Sequence, residues 1–210
     1  GTTCLGATLT RLQNIGVKKI VVNAHHLADQ VIHYVKPWPN IQVIYEPILL
    51  ETGGGFLNAL PYFDVTRPIL TVNSDVWFDD GLSSNCFERL SKSWQPAMKA
   101  LLLVVAKTNA IGFDGPGDYF LENGLLAHRG QKPEGPFVYA GAQLISPQAF
   151  LTFKSVSSVF SMRAVWDFFE ADKNALHGVE YKGKWCDVGT PTALGCLQSK
   201  EGLTATLPLS

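Results

Sequence analysis

Between Leu5 and Asp75 the chain alternates segments of helical period with short β-branched segments, at the spacing a crossover connection requires. Leu5, Leu9, Leu12 and Ile15 recur at three- and four-residue steps, which reads as an amphipathic helix, and Gly16 follows where such a helix ends. Residues 19–23 are a short strand running into the polar Asn23-Ala24-His25-His26, and 27–35 is a second helix that stops before Pro37. Ile41–Tyr45 is the next strand. Residues 51–55 then read as a glycine turn leading into a short helix over 56–60. Residues 68–75 form a third strand, nearly continuously apolar, which predicts a central strand buried on both faces. Helix and strand in this alternation mean an α/β fold with a Rossmann-like, doubly wound parallel sheet.

The second half changes character. A helix over 86–94 precedes a strand over 100–107, and a Gly/Asp/Asn-rich stretch over 109–130 predicts short strands in an antiparallel flap. A strand over 137–146, a helix at Met162–Ala171 and a last helix over 191–197 complete a sheet that is mixed at its C-terminal edge. The 210 residues are expected to form a single domain.

Composition narrows the functional classes. Hydrophobic residues make up 46% and charged residues 17%, the opposite of a disordered chain. Seventeen basic and 18 acidic residues give a net charge of -1 with no basic stripe, which argues against nucleic acid as a partner. No apolar run approaches the roughly 20 residues that span a bilayer. The start of the chain shows no basic or apolar leader region, so a cytoplasmic location away from membranes is expected. The four cysteines form no C-x-x-C pair, which predicts reduced thiols and neither a zinc cluster nor a redox motif.

Ligands of open α/β sheets bind beyond the carboxyl ends of the strands, and four candidate groups fall there: Asn23 to His26, the glycine turn, Asp75 and Asp187. An apolar strand delivers Asp75, with Asp79 and Asp80 close behind. Such carboxylates suit Mg²⁺, a hard cation that takes one or two of them plus phosphate oxygens and water. An isolated Asp there is equally a turn or capping residue, and Asp187 in Trp185-Cys186-Asp187-Val188-Gly189-Thr190-Pro191 could cap the last helix. Gly53, Gly54 and Gly55 would let a flat ligand such as a base or ribose approach their amides, or are an ordinary flexible turn. No Gly-Lys-Ser/Thr follows them and no G-x-G-x-x-G follows the first strand, which excludes the kinase and dehydrogenase fingerprints. His25 and His26 point to opposite sides of an extended segment and cannot easily chelate one ion. The absence of a G-x-S-x-G elbow leaves hydrolase chemistry without support.

Four ordered motifs carry a resemblance: residues 20–30, from Ile20-Val21-Val22-Asn23-Ala24-His25-His26 to Asp29-Gln30, then Glu51-Thr52-Gly53-Gly54-Gly55, Val72-Asn73-Ser74-Asp75-Val76, and the Asp187 segment quoted above. Together they resemble the sugar-1-phosphate nucleotidyltransferases over nearly the whole chain. The resemblance implies the nucleotide-diphospho-sugar transferase type of fold and transfer of a nucleotidyl group from an NTP to a sugar 1-phosphate. Among compact bacterial members without an appended β-helix, it favours UTP and N-acetylmuramate 1-phosphate, in cell-wall recycling. It further implies that Asp75 and Asp187 hold a catalytic Mg²⁺. Glu51, Thr52, Gly53 and Gly54, with Asn23, would meet the nucleotide. Asn109, Tyr139 and Gly141 would line the sugar pocket.

Against the family pattern, residue 1 falls just after the first strand, the Gly-rich loop with its Arg, and the Pro-Lys pair that grip the triphosphate. The sheet is therefore expected to lack its first strand, and the resulting open edges to favour a homodimer. Ser74 stands where the family usually has Gly. Two other classes are weighed beside the transferase. One is a non-catalytic nucleotide-sugar-binding or regulatory subunit. The other is a metal-dependent glycosyltransferase, which wants a carboxylate pair flanking one residue where Ser74-Asp75-Val76-Trp77 offers one acid.

Overall fold

The computed structural model describes residues 3–81, 85–172, 175–189, 193 and 195. The elements run α1 (Cys4–Asn14), β1 (Ile20–Ala24), α2 (Ala28–Val35), β2 (Ile41–Tyr45), α3 (Glu51–Ala59), β3 (Ile69–Val72), β4 (Val76–Asp79) and α4 (Cys86–Ser93). There follow β5 (Ala100–Ala106), β6 (Tyr119–Glu122), β7 (Leu125–His128), β8 (Phe137–Ile145), α5 (Pro147–Phe150), α6 (Met162–Ala171), β9 (Leu176–Tyr181) and β10 (Lys184–Asp187). The final helix expected over 191–197 lies outside the described residues apart from Ala193 and Gly195.

The sheet is organised around β5. It pairs antiparallel with β8 and parallel with β9, in a six-stranded order β3-β8-β5-β9-β7-β6. Strand geometry sends alternate side chains to opposite faces. Ala100, Leu102 and Val104 therefore enter one core with Phe56 of α3, Phe150 of α5 and Val165, Trp166 and Phe169 of α6. Leu101, Leu103 and Val105 enter the other with Leu12 of α1 and Phe87 and Leu90 of α4. Helices thus cover both faces, as double winding requires. The flap is present as the antiparallel pair β6–β7.

Three expectations are corrected. The strand buried on both faces is β5, not 68–75: β3 is only four residues long, mostly half-buried, and has β8 as its sole ladder partner among the described residues. Its apolar run breaks at Asn73-Ser74, where the chain turns into β4. Parallel β1 and β2 form a ladder of their own that β3 does not join. Finally, Glu51 to Gly55 is no loop; α3 starts at Glu51 and carries all three glycines inside it. Glycine propensity argued for a turn, but packing overrides propensity here.

Local chemistry fixes the helix ends. The Thr3 hydroxyl accepts the Gly6 N–H at 3.0 Å and caps α1, and Gly16 leaves that helix at φ +76°. Leu102 sits fully buried in the central strand, so Leu102→Ala should lower unfolding free energy by about 2–5 kcal/mol. Urea denaturation measures this; a loss below about 1 kcal/mol would contradict the placement of β5.

Candidate active site

The polar residues at the strand ends form two separate groups. The first is built by β4 and β10, which pair antiparallel with Asp187 opposite Val76. That register sets Asp187 beside the turn carrying Asp75, and the Val188 N–H donates to the Asp75 carbonyl at 2.8 Å. The Arg11 guanidinium of α1 ties β4 in place by donating to the Asp80 carboxylate and the Phe78 carbonyl.

Gly189 lies between the two carboxylates. A β-carbon there would sit 3.1 Å from Asp187 Oδ1 and 3.7 Å from Asp75 Oδ2, so glycine keeps the space between them open. The Gly189 N–H donates to Asp187 Oδ1 at 3.0 Å. Both side chains reach solvent. Crowding by neighbouring atoms nonetheless raises the Asp75 pKa, with the negative charge of Asp187 adding to it and a hydrogen bond from its own backbone opposing. Two oxygen ligands around an open space are a donor set suited to Mg²⁺, with phosphate oxygens and water completing the shell. Among the described residues no third acid, histidine or cysteine joins them.

Beside this pair, the 3₁₀ turn Lys107–Asn109 carries half-buried Asn109. The next residues clamp it to β10 through an Ala110–Trp185 bridge and an Ile111 N–H to Trp185 carbonyl bond of 2.7 Å. Gly141 has φ +77°, and a β-carbon on it would lie 2.7 Å from Val76 Cγ1, so only glycine lets β8 pass the β4 entry this closely. Its carbonyl accepts the Asn73 N–H at 2.7 Å. Tyr139 stacks edge-on against Trp166 with ring centres 4.6 Å apart; its hydroxyl bonds Thr71, and burial raises its pKa.

The second group joins β1, β2 and α3. Asn23 Nδ2 donates to Glu46 Oε1 at 2.5 Å and to the Gly55 carbonyl at 3.1 Å. His25 Nδ1 lies 2.7 Å from the Glu46 carbonyl, which can only accept, so that nitrogen carries the proton. Glu46 is 5% exposed and was not singled out from the sequence; its one signal is a carboxylate directly after a strand's carboxyl end.

The glycines face the protein itself. The Gly53 and Gly54 N–H groups both donate to the Phe160 carbonyl, at 2.9 and 3.0 Å, and the Thr52 hydroxyl accepts the Met162 N–H at 2.9 Å. A β-carbon on Gly53 would lie 2.5 Å from the Phe160 ring, and one on Gly54 2.1 Å from the Ser158 carbonyl. The absence of side chains here admits the 158–162 segment, which no sequence motif marks. Glu51 opens the helix at φ +59°, a conformation seldom adopted outside glycine and asparagine.

No family model matches the chain. It is 30% identical over 195 residues to the N-acetylmuramate alpha-1-phosphate uridylyltransferase of Caulobacter vibrioides, covering 88% of this chain and 78% of that protein. The chain belongs to the sugar-1-phosphate nucleotidyltransferases. Solved structures share the fold at low identity. HddC from Yersinia pseudotuberculosis, complexed with GMP-PN, superposes with a TM-score of 0.70 at 17% identity, over 93% of this chain and 85% of that one. The inositol-1-phosphate CTP transferase of T. maritima gives 0.71 at 12%, over 90% and 78%. As a nucleotidyltransferase, the chain therefore has the expected nucleotide-diphospho-sugar transferase type of fold. Its described residues include no helix long and apolar enough to cross a membrane.

A carboxylate whose pKa is raised on folding favours the folded state while protonated, and that contribution fades as pH rises through the folded pKa. In metal-free buffer, Asp75→Asn should therefore raise the melting temperature at pH 7. The gain should vanish as pH falls below the ordinary aspartate value of 3.8. Paired thermal melts across pH test this; an unchanged or lowered melting temperature at pH 7 would contradict the crowding of Asp75.

Proposed function

We propose that this nucleotidyltransferase moves a uridylyl group from UTP to N-acetylmuramate 1-phosphate, releasing pyrophosphate. The observation that carries the reading is the meeting of Asp75 and Asp187 across the side-chain-free space at Gly189. The substrate pair rests on the named Caulobacter relative. It implies a cytoplasmic step of nucleotide-sugar synthesis in peptidoglycan recycling.

In the reaction, an oxygen of the sugar phosphate attacks the α-phosphorus of the NTP in line with the leaving pyrophosphate. The new O–Pα bond forms as the bond from Pα to the bridging oxygen breaks, and the electron pair leaves on pyrophosphate. The nucleophile needs no strong base, because the second pKa of a phosphate monoester is about 6 and the group is mostly dianionic at neutral pH. Catalysis is then a matter of positioning and charge neutralisation. Asp75 and Asp187 would hold Mg²⁺, which when bound supplies positive charge for the phosphate oxygens. Asp187 closes the β10 ladder, and the Val188 N–H bond to the Asp75 carbonyl ties the Asp75 turn to it, which keeps the two carboxylates together. Asn23 and Glu51 would contact base and ribose, while Thr52, Gly53 and Gly54, bonded to the 158–162 segment, would brace the start of α3 beside them. Asn109, Tyr139 and Gly141 would bound the sugar subsite.

Pyrophosphate release measured with UTP, N-acetylmuramate 1-phosphate and Mg²⁺ tests this. Asp75→Ala or Asp187→Ala should each reduce turnover by at least about 100-fold, and EDTA should abolish it. Turnover that survives Asp75→Ala would remove that residue from the site, and turnover with other NTP and sugar-phosphate pairs alone would overturn the substrate assignment.

A further inference from the structure

Glu46 is a buried carboxylate that the reaction just described does not use. Among the described residues it joins no ion pair. Burying a charge costs free energy unless strong hydrogen bonds compensate, so its retention needs a physical reason. The contacts supply one. Asn23 Nδ2 has two hydrogens and two acceptors, Glu46 Oε1 at 2.5 Å and the Gly55 carbonyl at 3.1 Å. Turning the amide over would press Asn23 Oδ1 against a carboxylate and a carbonyl, neither of which has a proton to give. The orientation of the amide is therefore fixed by both neighbours. Asn23 itself is exposed at the carboxyl end of β1, and its Oδ1 accepts no hydrogen bond among the described residues. What this side chain can offer a ligand is an acceptor and nothing else.

We infer that Glu46 is a positioning residue for nucleotide selection: it locks Asn23 so that Oδ1 accepts a hydrogen bond from a donor on the bound nucleotide. The inference rests on the nucleotide subsite of the proposed function. Two donors share the required chemistry, the imide N–H of uracil and the 2′-hydroxyl of the ribose. Cytosine offers an acceptor where uracil has that N–H, and a deoxyribose lacks the 2′-hydroxyl, so the two sources separate by ligand. The carboxylate suits this duty because it is acceptor-only, whereas an unheld amide would present donor and acceptor alternately and discriminate less.

Isothermal titration of the full chain with UTP, CTP, dUTP and N-acetylmuramate 1-phosphate tests it. Wild type should bind UTP about tenfold more tightly than CTP if the base is read, or than dUTP if the ribose is read, the factor expected of one hydrogen bond. Glu46→Ala should erase most of that ratio, while Glu46→Gln, which keeps an acceptor facing Asn23, should preserve it. Affinity for the sugar phosphate should stay unchanged in both. Asn23→Ala, at an exposed position, should also erase the ratio and keeps the test decisive if Glu46→Ala fails to fold. Equal binding of all three nucleotides by wild type overturns the inference and leaves the transfer reading standing. So does a ratio that survives Glu46→Ala, or a parallel loss of sugar-phosphate affinity, which marks a merely structural role. A chain that binds the sugar phosphate and no nucleotide overturns both readings.

Discussion

Everything in this molecule is referred to a strand that water reaches from neither side. Six of the seven residues of β5 are buried, and its alternating side chains belong to two different cores. Fully burying a Leu or Val contributes about 1.5–3 kcal/mol, so this one strand anchors helices on both faces. It also sets direction. Because β8 and β9 are registered on β5, the loops that leave them are fixed in space, and β10, two residues beyond β9, is delivered to β4 with Asp187 opposite Val76. The carboxylate pair is thus a consequence of strand pairing and of the Val188 N–H bond to the Asp75 carbonyl, not of any attraction between the acids themselves. Crowding around Asp75 disfavours its charged form, and the negative charge of Asp187 adds to that, so both raise its pKa.

Chain topology was legible wherever one residue pattern allowed one structure. The periodicity of Leu5 to Ile15, the β-branched runs and the fully apolar stretch after Ala100 each specify their element. Asp75 and Asp187 were legible as candidates because each follows a short apolar run that reads as a strand, but their proximity was not, since it depends on β4, a four-residue strand whose Val76-Trp77-Phe78-Asp79 pattern is too short to separate from a turn. Misplacing the central strand on 68–75 has the same origin: a short apolar run reads alike at an edge and at the centre, and only pairing distinguishes them.

The glycines show a different limit. Three in a row predict backbone freedom, yet here they lie within a helix because the chain at 158–162 needs the room that side chains would fill. Sequence reports the missing side chains but not what occupies the space. Glu46 was invisible for the complementary reason: a single acid after a strand has no motif around it, and its importance emerges only from burial and from the amide it holds.

The carbonyl of Phe160 has both of its lone-pair directions committed, one to each of two successive amides at the start of α3. One residue later Ser161 caps α6, and the next amide is held by Thr52. The opening turns of two helices, α3 beside Asn23 and α6 against Tyr139, are therefore stitched to a single stretch of backbone. The two helices share one backbone anchor at their N-terminal ends. Substrates bound as proposed would be held by a shared frame, and a change that loosens the seam would be felt at both together.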